Sequence, residues 1–581
     1  MKPGIRINTG ILFFLFIYPF SCLLAQENYP RNYFRSPIDT VLKLAGNFGE
    51  IRPNHFHAGM DIRTGNHEGM KVYAVADGYV SRIKISGIGY GKVLYITHPN
   101  GFVSVYAHLS KFNDTIGKYI RKAQYSKESF EVELFPKPNE LPVKKSDLIA
   151  LSGNTGNTAG PHLHFEIRDE KTEFIINPLF FGFDIKDDVK PKITAAYIYP
   201  VDEKSRVNNQ NSFKQLPFSG KSGEYKTLPT DIVTVSGNIG CGIEVWDTES
   251  NSSNHNAVFS IELLMDGKRI YYSEMDKFSF DQSRGVNSHI DYVEKKIHGR
   301  SIQKSFVAKN NKLNIYKELK NRGIMSFMND SIHNMTYVIK DYFGNTSTLK
   351  FKLKGSSTSY DKNTPAASKY TAIFHCEEPN QFKTQNCSMS LPANILYEDL
   401  RFQYSVSNDS VKKGSIAPIF HIHNDLVPVH SYYTLALKPN NPLPERLQKK
   451  ALIVSVSPGG GKHSEGGEWK DGFITTQTRI FGNFTIALDT VPPYIKPKNI
   501  SKGKDLSKQR TIEIIAGDNL SGLKSYPAYI DDKWVLMEYE PKKNLLYYTF
   551  DSSIKKGKHT FLIEVKDERG NASTFKANFT R

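Results

Sequence analysis

The feature that most constrains this chain is a succession of short alternating segments broken by glycine-bearing turns, from about Asn28 to Ile185. KVYAVADGYVSRIKI (71–85) reads as a strand, an Asp77-Gly78 turn and a second strand. GKVLYITHPNGFVSVYAHL (91–109) repeats the plan around Pro99-Asn100-Gly101, and IALSGNTGNTAGPHLHFEI (149–167) repeats it around a glycine-rich loop. A period of two, with no long amphipathic helix in view, predicts a compact all-β domain. The content of Tyr and Phe, 31 and 36 residues, suits strands.

The remainder of the 581 residues reads as β-sandwich modules. KDYFGNTSTLK (340–350) matches KDERGNASTFK (566–576) in the form KDxxGNxST, then an apolar residue, then Lys. In each copy a strand ends at the Asp, Gly-Asn turns, and the last strand leaves. Each is therefore expected to be the terminal hairpin of an immunoglobulin-like sandwich. Proline-marked junctions, Asp188-Val189-Lys190-Pro191 and Asp489-Thr490-Val491-Pro492-Pro493, set borders. The expected organisation is a leader over 1–25, an N-terminal domain over 28–185, and sandwich modules over 190–355, 356–489 and 490–581. Ser457-Pro458-Gly459-Gly460-Gly461 lacks phosphate-loop spacing and reads as a plain loop.

Lys2 and Arg6, the apolar run Ile11 to Phe20 and Ala25 before Gln26 compose a secretory signal. Pro19-Phe20-Ser21 before Cys22 is a poor lipidation signal. No later stretch approaches the ~20 apolar residues of a membrane helix. The expected location is therefore secreted, in the periplasm or cell envelope. The net charge of +17, spread without a nucleic-acid motif, suits an anionic envelope polymer rather than nucleic acid. Cys241, Cys376 and Cys387 are too few for a disulfide scaffold, and pairing of the last two stays open.

GPHLHFEI (160–167) carries the chemistry. Residues i and i+2 of a strand face one side, so His162 and His164 point the same way. An isolated HxH is usually a surface pair. Phe420-His421-Ile422-His423 is read as such, because no other ligand type precedes it at suitable spacing. The first pair has company: His57-Ala58-Gly59-Met60-Asp61 sets an imidazole and a carboxylate four apart, and Tyr106-Ala107-His108-Leu109 adds a histidine at a hairpin end. His57, Asp61 and one member of the pair form a two-nitrogen, one-oxygen set, the composition of a catalytic zinc site with an open position. His55, His67 and His98 read as surface or turn histidines. Glu166, on the strand face of His164, either orients a histidine or, by default, is a solvent-facing or loop-pairing carboxylate.

HAGMD, YAHL and SGNTGNTAGPHLHFE, in that order, resemble the lysostaphin/LytM-type zinc metalloendopeptidases, over about residues 37 to 180. The resemblance implies a LytM-type β-barrel or sandwich (duplicated hybrid motif-like), one Zn2+ per chain and hydrolysis of peptidoglycan peptides. It implies His57, Asp61 and His164 as metal ligands and His108 and His162 as catalytic histidines, one the general base and the other the oxyanion partner, with the choice left open. The expected partners are peptidoglycan and, through the C-terminal sandwiches, envelope proteins. A catalytically weak or gated protein that binds wall or regulates other hydrolases is the competing expectation. One departure from the family is the segment from about Lys111 to Lys145, where a short link is usual. It is expected to form a hairpin over the groove and to restrict access rather than to form core.

Overall fold

The computed structural model describes residues 29–250, 252–357, 370–407 and 415–581; the expected leader lies outside the described residues. The chain is all-β, as its alternation requires. The N-terminal domain is built on one antiparallel sheet. Its strands are β1 (Leu44–Gly46), β2 (Met60–Arg63), β3 (Gly78–Ile85), β4 (Lys92–Thr97), β5 (Phe102–Ala107), β6 (Val132–Leu134) and β7 (His162–Asp169), in the order β1-β2-β7-β5-β4-β3-β6. A smaller sheet of Lys71–Tyr73, Leu148–Leu151 and Lys111–Phe112 packs with it around a core that includes Ile62, Val72, Ile83, Leu94, Tyr106 and Phe165.

Of the three predicted hairpins, only β4–β5 forms, turning at Gly101 with φ 81°. Lys71–Tyr73 pairs with Leu148–Leu151 instead of with β3, and Leu148–Leu151 leaves β7 for the smaller sheet. In both places the chain crosses between sheets. Alternation marks strands but not their partners, and burial on both layers rewards the crossing equally. Gly78 is there for close approach, because a Cβ would stand 2.3 Å from the Thr97 carbonyl oxygen.

The segment 111–145 is neither a hairpin nor a lid. It contains α1 (Asp114–Lys127), opened by Asn113, whose side chain accepts from the Ile116 N–H, and closed by Glu128 in the left-handed region at φ 46°. Ile116 and Ile120, four apart on one face, enter the domain core with Phe130, Val132, Leu141 and Val143. β6 and Pro142–Val143 both pair with β3. The expectation failed because the charged residues of IGKYIRKAQYSK, which occupy the solvent face, mask a narrow apolar stripe.

Residues 192–355 form one continuous thirteen-stranded sheet, of which Val233–Trp246 is the hinge. Its first residues run parallel to Thr346–Gly355, and its last run antiparallel to Lys192–Pro200. Between them Gly237 adopts φ 76°. Three short helices, Phe280–Ser283, Val286–His289 and Tyr292–His298, interrupt this module. Two five-stranded sheets enclose the next core, from Phe374 to Ile486, and a four- and a six-stranded sheet enclose the last, from Ile500 to Phe579. Cys376 and Cys387 are buried and unpaired.

The modules are bolted together. Ile175–Ile176 pairs with β7 on one side and with Lys277–Phe278 of the second module on the other. Phe48, Phe56, Phe278, Val286 and Ile315 share an apolar cluster across that seam. The last module returns to the first: Lys92 Nζ stands 2.6 Å from Glu538, and Tyr125 meets Trp534 edge-on at 5.1 Å.

A core role for α1 has a measurable consequence. Ile120→Ala should destabilise the protein by about 2–4 kcal/mol, read as a lower urea midpoint. An unchanged midpoint would show that the helix merely covers the surface.

Candidate metal centre

The site is assembled on the β2–β7–β5 part of the sheet. Asp61 on β2 is paired directly with His164 on β7, and His162 lies opposite Arg63. His57 comes from the loop before β2, which is held close because Gly59 has no side chain: a Cβ there would sit 2.2 Å from the Phe165 carbonyl oxygen. His108 follows β5 directly and adopts φ 59°, a left-handed conformation that turns its ring back over the sheet.

Three atoms converge. Asp61 Oδ1 lies 3.0 Å from His57 Nε2 and 2.8 Å from His164 Nδ1, and the two nitrogens are 3.1 Å apart. Ligands at ~2.0–2.1 Å around a tetrahedral zinc stand about 3.3 Å apart, so the set needs to open only slightly to hold one. The opposite ring nitrogens fix the tautomers. His57 Nδ1 donates to the Asn47 carbonyl at 2.6 Å, and His164 Nε2 donates to Glu166 Oε1 at 2.9 Å. Both inward nitrogens therefore present lone pairs to the same point, together with a carboxylate oxygen. That is the donor chemistry a divalent metal requires, with each outer N–H anchored as metal-binding histidines usually are.

The electrostatics agree. Burial opposes ionisation of Asp61, yet His57, His162 and His164 hold its carboxyl well below the usual range. Burial likewise opposes protonation of His164, but Asp61 and Glu166 overcome it and raise the ring to about 9. The cluster thus demands a positive charge at its centre, which a proton supplies in the bare protein and a metal ion would replace.

His162 and His108 stand to one side, ring centroids 4.8 Å apart. His162 Nδ1 donates to the Gly160 carbonyl at 2.9 Å, and His108 Nδ1 donates to the Thr155 carbonyl at 2.8 Å. His108 Nε2 is left as an acceptor, while His162 Nε2 is buried and faces Asp61 Oδ1 at 3.3 Å without a well-aligned hydrogen bond. Burial, with His164 and His162 adding to it, lowers His108 to about 3, so its ring is neutral at physiological pH.

Of the two sequence readings of Glu166, the structure selects the one in which it orients a histidine. It is fully buried, accepts from the Tyr90 hydroxyl as well as from His164, and takes the Arg168 Nε–H at 2.7 Å. Burial disfavours its charge, but Arg168 and His164 outweigh that and lower it to about 2. The period of two already carried this signal, since His162, His164, Glu166 and Arg168 all share one strand face. His98 is buried rather than exposed, bonded to the Asp77 carbonyl and to Ser104. His55 and His67 are exposed, and His421 and His423 lie in the third module, away from the site.

The cleft over the centre has a volume of about 880 Å³. Its walls are the Asn157–Pro161 loop on one side and, on the other, Phe280, Ser283 and Arg284 of the second module with Arg479 of the third. Ser283 Oγ accepts from the Phe56 N–H at 2.8 Å, and Phe280 covers the Arg168 guanidinium. The groove is thus restricted by the second module, not by residues 111–145. No local sequence signal marks these residues, nor Asn47, Tyr90 and Thr155, as part of a site.

Comparison with known proteins meets this geometry. Residues 55–125 match the family model of Peptidase family M23. The chain carries a peptidase M23 domain. A second family model, the Zu5-like domain, matches residues 371–489. The N-terminal part is 30% identical over 149 residues to an uncharacterized metalloprotease of Haemophilus influenzae, covering 24% of this chain and 26% of that protein. It is 28% identical over 149 residues to the peptidoglycan DD-endopeptidase ShyA of Vibrio cholerae, covering 24% and 28%. Among solved structures, a zinc-containing peptidase from Vibrio cholerae is 28% identical over 24% of this chain and 38% of that one, with a TM-score of 0.18. The chain spans about a quarter of the length of these curated relatives.

Glu166→Gln removes the charge that anchors His164 while keeping its size. The folded variant should hold zinc about 10–100-fold more weakly in a competition with a chelating dye. Equal affinity would reduce Glu166 to packing.

Proposed function

We propose that this protein is a zinc-dependent endopeptidase of the cell envelope that cleaves peptide bonds in peptidoglycan stem peptides or cross-links. The observation that carries the reading is the convergence of His57 Nε2, Asp61 Oδ1 and His164 Nδ1 beside His108 and His162, whose Nδ1 atoms are both tied to backbone carbonyls. The peptidase M23 domain and relatives named for peptidoglycan endopeptidase activity support it.

Zinc held by that set supplies Lewis acidity, polarising a carbonyl and acidifying water. The chain's own residues supply the rest. Asp61 and the neutral His57 and His164 leave the centre one net positive charge. Of His108 and His162, one accepts the proton of the attacking water and passes it to the leaving amine. The other can stabilise the oxyanion that develops on the carbonyl only with a proton on its Nε2, since its Nδ1–H is held by the backbone. Backbone hydrogen bonds to Gly160 and Thr155 keep both rings aimed, and His162 also faces Asp61 Oδ1 at 3.3 Å. The Asn157–Pro161 loop offers a backbone edge to an extended peptide, and the chain's positive charge favours an anionic wall polymer. The leader at the N-terminus supports an envelope location. Among the described residues, no helix is long and apolar enough to cross a membrane.

The wall formed by Phe280, Ser283, Arg284 and Arg479 favours a second reading, in which the second module limits how large a substrate reaches the centre.

Two variants separate holding the metal from using it. His57→Ala should lose nearly all zinc by metal analysis. His108→Ala should retain zinc but release muropeptide fragments from purified wall ~10²–10⁴-fold more slowly, followed by mass spectrometry. Wild-type turnover by His108→Ala would make that histidine a bystander, and full zinc in His57→Ala would mean a different ligand set.

A further inference from the structure

Two clusters of carboxylates lie outside the lining of the cleft over the metal centre, and they are copies of each other. In one, Asp187, Asp247 and Asp341 each place a ligand-type atom within 4.8 Å of the others; in the second, Asp489, Asp518 and Asp567 do the same. The members correspond one to one. Asp187 and Asp489 lie in the junctions that lead into the second and fourth modules. Asp247 and Asp518 directly follow the strands Val233–Trp246 and Thr511–Gly517. Asp341 and Asp567 are the aspartates of the KDxxGN repeat.

The supporting bonds are also duplicated. Asn345 Nδ2 donates to Asp341 Oδ2 at 2.7 Å and to the Asp187 carbonyl at 3.2 Å. Asn571 Nδ2 donates to Asp567 Oδ2 at 2.7 Å and to the Asp489 carbonyl at 3.0 Å. In both copies the asparagine of the repeat ties the turn aspartate to the junction, which accounts for the Gly-Asn pair in the sequence.

What distinguishes these triads from ordinary acidic turns is oxygen left without a partner. Asp247 is 4% exposed and Asp489 is 1% exposed, yet Oδ1 of each is buried with no hydrogen bond; Asp518 Oδ1 and Asn256 Oδ1 are also buried and unsatisfied. A buried carboxylate oxygen without a donor is strongly unfavourable unless a cation meets it. At the first triad the orphaned oxygens belong to residues that line a cavity of about 20 Å³, shared with Asp187, Glu249 and Asp341. That is room for one ion or water.

We infer that each triad is a calcium-binding site, one at the entrance to the second module and one at the entrance to the fourth. The donors are all oxygen, hard and of mixed geometry, which suits Ca2+ at 2.3–2.6 Å and not a nitrogen- or sulfur-seeking metal. The inference stands apart from the endopeptidase reading. It does touch the catalytic domain structurally: the loop after Asp247 reaches Ala257, which exchanges hydrogen bonds with the Asn47 side chain at 2.8 and 2.9 Å, and the Asn47 carbonyl holds His57.

The test is a calcium titration of the full chain by calorimetry after stripping on a chelating resin, with zinc content measured in parallel. Wild type should bind two Ca2+ per chain, Asp247→Asn one, Asp518→Asn one and the double variant none. Each variant should keep wild-type zinc. Calcium should raise the Tm of wild type by roughly 5 °C and leave the double variant unmoved. Each single variant should gain less Tm from calcium than wild type does. Fewer than two ions in wild type at millimolar calcium, or retention of both in the double variant, would overturn the inference.

Discussion

The antiparallel pairing of β2 with β7 is the constraint on which the rest depends. It sets Asp61 directly across the ladder from His164, so a carboxylate and an imidazole meet on one face without any helix to align them. Neighbouring strands are ~4.8 Å apart, about the distance that lets two such side chains converge on one ion. β5 on the other side of β7 then delivers His108, and a slip of one residue in either pairing would send His162, His164, Glu166 and Arg168 to the opposite face. The apolar residues that alternate with them, Leu163, Phe165 and Ile167, are all fully buried, so the core itself enforces the register.

The all-β class and the members of the site were legible because strand periodicity writes facing residues into the sequence at fixed spacing. His162 and His164 could be placed on one face from HxH alone. The same rule places Glu166 on that face, where orienting a histidine is one of its two readings, and its extension to Arg168 gives the whole buried chain of His164, Glu166 and Arg168. Strand partners were less legible. The segments 71–85 and 149–167 look like hairpins but cross between sheets, a choice made by packing of distant residues. The helix Asp114–Lys127 was concealed by its lysines, since only Ile116, Ile120 and Gln124 are buried. The cleft wall was not legible at all: Phe280 and Arg479 reach it from modules whose placement depends on the seam around Phe48, Phe56 and Phe278.

The modules divide the electrostatic work. The chain is strongly basic overall, yet its least compensated buried charges are acidic and sit at the entrances to two modules. The N-terminal domain instead balances its buried charges internally, with Arg168 against Glu166 and His57 and His164 against Asp61. Its outer walls are borrowed. Lys542 of the last module donates to the Asn154 carbonyl in the glycine-rich loop, and Ser283 of the second module holds the strand that leads to His57. Substrate access and the orientation of the histidines are thereby tied to how the four modules are assembled.

The central claim is that one divalent metal sits between His57, Asp61 and His164. Zinc-edge X-ray absorption on the purified full chain tests it most directly. The account requires a first shell of nitrogen and oxygen at ~2.0–2.1 Å, with outer-shell scattering from two imidazoles and no sulfur. Loss of that signal in the folded Asp61→Ala variant would fix its location. A shell containing sulfur at ~2.3 Å, or zinc retained unchanged without Asp61, would contradict it.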